Sequence, residues 1–134
     1  MKKSLLAGVY LMSLTGSACA TNASIQCDFA FLKQAHETLV FCGEKIDPAS
    51  EERYDKLTKE FQAFIASNVD SKPGWETVED IRRTLLREGK DRVCKDPDYQ
   101  ALRRVFFGYV SDSGMAQVKK LLSRPRDPSE GDCL

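Results

Sequence analysis

The spacing of four cysteines constrains what this chain can fold into more than any other feature. Cys27, Cys42, Cys94 and Cys133 follow an N-terminal stretch that reads as a secretory leader. Lys2 and Lys3 supply its positive charge, Leu5 to Leu14 are mostly apolar, and Ala18-Cys19-Ala20 has the small-x-small pattern of a cleavage site. Residues 1–20 are therefore expected to be removed, which puts the mature start at Thr21. An apolar run of about ten residues is half of what a spanning helix needs, so an uncleaved anchor is the weaker reading. Lipidation of Cys19 is weaker too, because Gly16 stands where such signals usually carry leucine. In either case four cysteines remain, and an even number in a small exported chain implies disulfides. The competing use of four cysteines is a metal site. No pair here has the two-to-four-residue spacing of a zinc site, and there is one histidine. No metal or cofactor is expected.

Without the leader, 134 − 20 = 114 residues remain, which suits one domain over 21–134 with 124–134 as a tethered tail. Two lysines leave with the leader, so eighteen bases face twenty acids, a net charge of −2. General nucleic-acid binding needs concentrated positive charge, and this balance argues against it. No later apolar stretch approaches spanning length, so no membrane span is expected in the mature chain.

Periodicity and cap residues predict five helices and no strand, an all-α bundle. Ile25, Phe29, Leu32, His36 and Leu39 recur at steps of three and four over 24–41, and Gly43 follows as a stop. Asp47-Pro48 is a helix start, after which Tyr54, Leu57, Phe61, Phe64 and Ile65 form the clearest apolar stripe, ending near Asn68. Beyond a turn at Ser71-Lys72-Pro73-Gly74, a third helix turns Trp75, Val78, Ile81 and Leu85 inward and stops at Gly89. Asp96-Pro97 opens a fourth, with Tyr99, Leu102, Val105, Phe106 and Tyr109. Ser111 to Ser113 recap the chain before a short fifth helix through Met115, Val118, Leu121 and Leu122. From Arg124 the tail is too proline-rich to be helical.

Helix length then sorts the disulfides. Cys27 and Cys42 lie fifteen residues apart on one helix, which separates them by more than about 20 Å. A disulfide requires Cα atoms within about 7 Å, so the two cannot pair unless that helix breaks. If short connections make successive helices antiparallel, the end of the first and the link between the third and fourth share a pole. Cys42–Cys94 and Cys27–Cys133 are the expected bonds. Cys27–Cys94 with Cys42–Cys133 is the alternative that keeps the helix whole.

No catalytic constellation can be assembled, and no enzyme activity is expected. His36 sits on the Phe29–Leu32–Leu39 face without a nucleophile motif beside it, so it reads as a core-edge histidine. Phosphate loops, Gly-x-Ser-x-Gly and His-Glu-x-x-His are all missing. A binding surface is better supported. Between Arg82 and Arg104 eight bases face four acids, and Arg103 to Tyr109 holds more aromatics than one helix face can bury. Phe106 and Tyr109 can face the core, leaving Phe107 with Arg103 and Arg104, residue types enriched at protein–protein hot spots. The competing reading packs Phe107 under the fifth helix or the tail.

The signal, the size and the amphipathic pair framed by Phe41-Cys42 and Val93-Cys94 resemble the small helical periplasmic immunity proteins of bacterial type VI secretion systems. The likeness covers about half of the mature chain. It implies a periplasmic or secreted domain that binds and blocks a protein, a toxin or a lytic hydrolase. That family usually carries a proline soon after the first cysteine, whereas Pro48 comes six residues later, and no contact residue carries over. A second, looser similarity, through Cys27-Asp28-Phe29, is to periplasmic acid-stress chaperones, which implies loosening at low pH to bind unfolded clients.

Overall fold

The computed structural model describes residues 24–68 and 77–131. The leader, Trp75 and Cys133 lie outside the described residues. Six helices follow in order among those described: α1 (Ile25–Phe41), α2 (Pro48–Asn68), α3 (Val78–Glu88), α4 (Lys90–Cys94), α5 (Tyr99–Tyr109) and α6 (Asp112–Leu121). There is no strand among them, so the chain is all-α. The sixth helix is the difference from the sequence reading. Gly89, at φ 84°, closes α3 and directly opens the five-residue α4, which periodicity is too short to reveal.

Local chemistry accounts for the boundaries. The Ser24 hydroxyl accepts from the Cys27 N–H at 3.0 Å, capping α1. At its other end Gly43 takes φ 76°, and the N–H groups of Gly43 and Glu44 return to the carbonyls of Val40 and Leu39, a Schellman closure. The Asp47 carboxylate accepts from both the N–H and the hydroxyl of Ser50 at the start of α2. Thr77 and Asp80 form a reciprocal capping box on α3. Ser111 caps α6 through the Gly114 N–H, so that helix begins at Asp112 rather than at Met115. Gly114 is required there, since a Cβ would come within 2.6 Å of the Tyr109 carbonyl oxygen.

The first helix is the axis of the fold. Ile25, Phe29, Leu32, Ala35 and Leu39 meet Tyr54, Leu57, Phe61 and Phe64 of α2, Tyr99, Leu102 and Phe106 of α5, and Val118 of α6 in one core. Gln26, Asp28, Glu37 and Thr38 are buried as well, so α1 is enclosed on more than its apolar stripe. The α3–α4 unit stands apart, with a small core of Ile81, Leu85 and Val93 covered by Phe41, Cys42 and Cys94.

Cys42 and Cys94 are bonded, with Cα atoms 5.6 Å apart, at the pole where helix parity places them. This is the one disulfide among the described residues. The expected Cys27–Cys133 bond ends on Cys133, which lies outside the described residues. The described part of the tail does fold back toward Cys27. Pro128 is fully buried, and its carbonyl accepts from the Gln26 N–H at 3.1 Å.

Candidate functional site

His36 is fixed in a structural cluster that joins three helices. Its ring stacks on Tyr54 at 3.9 Å between centroids, and Nε2 donates to the Glu51 carboxylate at 2.9 Å. Nδ1 faces Glu37 at 3.5 Å, and the Arg82 guanidinium holds Glu37 through Nε at 2.7 Å. At 12 % side-chain exposure the imidazole is nearly closed off. Burial, with the negative charge of Glu37, Glu51 and Asp55 around it, pushes the Tyr54 phenol up to about 12 despite its Thr58 contact. Nδ1 of His36 is buried without a hydrogen-bond partner among the described residues, while Nε2 and both Glu37 oxygens are bonded within the cluster. Among the described residues no group of three or more His, Cys, Asp or Glu side chains is placed to hold a metal ion.

A second buried polar site closes the other end of α1. Asp28 accepts from the Tyr109 hydroxyl at 3.0 Å and lies in the field of Arg126 from the returning tail. Burial nevertheless dominates and raises the Asp28 carboxyl to about 6. Nε and Nη2 of Arg126 are themselves buried without a hydrogen-bond partner among the described residues. The trio leaves no local mark in the sequence, because its members lie on α1, on α5 and in the tail.

The α5 residues expected at an interface form one patch, since 103, 104 and 107 are neighbours at helical spacing. Arg103 donates to Glu44 at 2.9 Å and spans the Phe107 ring at 5.1 Å. Glu44 also accepts from Tyr99, and these two bonds, Arg103 first, hold its carboxyl below the usual range. Phe107 is half-buried and meets Phe106 edge-on at 5.2 Å. Part of its ring is therefore core and part is surface, so both readings of Phe107 describe some of it. Arg104 is exposed.

No family model, curated protein or solved structure matches the chain. Its function must be read from its own geometry.

Among the described residues the most exposed large apolar side chain lies on α3. Leu86 is 73 % exposed on α3, and Val40 on α1 is 49 % exposed. The signal was present in the Leu85-Leu86 pair, because adjacent helical residues cannot both face one core. Arg82 of α3, although largely exposed, reaches back to Glu37 of α1.

Proposed function

We propose that this chain is an exported, periplasmic protein-binding domain that acts as an immunity or inhibitor protein, blocking a toxin or a lytic hydrolase. The Arg103–Phe107 pair carries this reading. The cation lies across the ring and is tied to Glu44, so the two hot-spot side chain types are held in place before a partner arrives. Arg104 beside them adds an exposed charge that would speed encounter with an acidic surface. The Cys42–Cys94 bond supports an oxidising compartment outside the cytosol. Pairing of Cys27 with Cys133 is part of the same proposal. Its support is the tail itself, which reaches the N-terminus of α1 at Pro128, five residues short of Cys133.

Asp28 does not supply the acid loosening that the chaperone alternative needs, although Glu44, Asp47, Asp80 and Asp127, whose carboxyls lie below the usual range, slope the other way. That reading needs a fold that loosens in acid, whereas a buried carboxylate with a raised pKa favours the folded state when protonated. Enzyme activity is not part of the proposal, since the polar clusters of α1 are occupied by structural contacts.

The test is recovery of a stoichiometric partner from periplasmic extract, followed by titration. Phe107→Ala should weaken binding by about 2 kcal/mol or more with little change in Tm. A stability loss of about 3 kcal/mol would make the ring core and displace the interface. Many clients appearing only in acid would favour the chaperone.

A further inference from the structure

We infer that the outer face of α3 and α4, centred on Leu86, is a docking surface for an acidic protein partner that sets an apolar side chain against it. This rests on the protein-binding reading and goes beyond the α5 patch. Three observations carry it.

The first is where the apolar surface lies. Arg82 on α3 meets Glu37 on α1, and Phe41 packs against the Ile81–Leu85–Val93 cluster, so the two helices advance together toward the Cys42–Cys94 end. One turn on from the Arg82–Glu37 pair stand Val40 and Leu86, the two large apolar side chains left in water among the described residues. The second observation is charge. Arg83 precedes Leu86 by one turn, Arg87 follows it directly, and Lys90 opens α4 just beyond Gly89. Among the described residues neither Arg87 nor Lys90 takes part in an ion pair, while Arg83 has only the exposed Asp80 at 3.3 Å. Of the four acids on α3 and α4, Asp80, Glu88 and Asp91 are ion-paired and Glu79 lies two turns before Leu86. Arg87 and Lys90 thus leave a local excess of positive charge beside the apolar centre, which fits an acidic surface with one apolar projection. The third is rigidity. A unit with only three core side chains is fastened by a disulfide, which fixes its outer face in advance of binding.

The other occupants fit less well. A second copy meeting this face across a twofold axis would set Arg83, Arg87 and Lys90 against their own equivalents. Two apolar side chains are also too few for the broad apolar face of a helix that lies in a membrane interface.

Photo-reactive p-benzoylphenylalanine placed at position 86, at 107 and at the exposed control Lys59 tests this in cells that make the full chain. The expected result is an adduct from position 86 with one acidic protein, and none from 59. That protein, purified and titrated against the oxidised domain, should bind about 30-fold more weakly to Leu86→Asp and about 10-fold more weakly to Arg87→Glu. Binding should also weaken as salt rises, with Tm of both variants unchanged. An adduct from 107 alone would overturn this inference and leave the protein-binding reading standing. Absence of adducts from both positions would overturn both. An adduct with a second copy of the chain, binding of phosphatidylglycerol vesicles that Leu86→Asp abolishes, or unchanged affinity in Leu86→Asp would each refute an acidic protein as the occupant.

Discussion

The α1–α2–α5–α6 body and the α3–α4 unit reach an ordered state by different means. In the body, Phe29, Leu32, Leu39, Leu57, Phe61, Leu102 and Phe106 interdigitate around one helix, with aromatic rings in contact from Phe29–Phe61 to Phe106–Phe107. The unit buries Ile81, Leu85 and Val93, worth about 2 kcal/mol each, which is less than the ordering cost of the residues they hold. Its place is secured instead by the Cys42–Cys94 bond and by the Arg82–Glu37 pair, one covalent and one electrostatic. The lesson is that a large core holds its helices by packing alone, whereas the small unit depends on its staple and keeps Leu86, Arg87 and Lys90 exposed.

Truncation in the body should have the largest effect. Phe106 is fully buried against Tyr54, His36 and Phe107, so Phe106→Ala should lower global stability by about 4 kcal/mol. Chemical denaturation measures it, and a loss below about 1 kcal/mol would mean that the body has no dominant core.

Opening the disulfide should come next and act on one region. For a separation of 52 residues, loop-closure entropy sets an upper bound of about 4 kcal/mol. In Cys42→Ser/Cys94→Ser, hydrogen exchange should rise first across α3 and α4 while α1 and α5 stay protected. Uniform loss of protection would erase the distinction between the two regions.

The smallest of the three is a pH slope that belongs to the body. Asp28 titrates near 6 when folded and near the ordinary 3.8 when unfolded, so the folded state binds the proton more tightly. Its contribution is present below pH 3.8 and is lost as pH rises through about 6, a change of about 3 kcal/mol at most. Asp28→Asn should flatten that part of the stability curve. Glu44 slopes the other way, since its lowered pKa adds stability that disappears in acid. Following melting temperature between pH 4 and 7 in wild type and Asp28→Asn separates the two. An unchanged slope would show that Asp28 is hydrated.

Much of the candidate site was legible in part. The surplus aromatic at Phe107 and the flanking Arg103 and Arg104 could be read because helical spacing limits how many rings one face can bury. The Glu44 tether of Arg103 could not, since its partners stand 59 residues apart. Leu86 obeys the same spacing rule as Phe107 and could have been found by it. The Asp28–Tyr109–Arg126 trio left no local mark at all.

Local chemistry in the sequence determined the helical class and most helix ends, and it excluded a Cys27–Cys42 bond. Caps, glycine stops and the rise per residue act within a few positions and need no knowledge of neighbours. Tertiary structure alone decided that α1 is central, that Glu37 and Asp28 are buried, and that α3 and α4 form a unit apart. Burial is a property of what surrounds a residue. The groups enclosing α1 arrive from α2, α3, α5 and the tail, whose relative placement no local periodicity encodes.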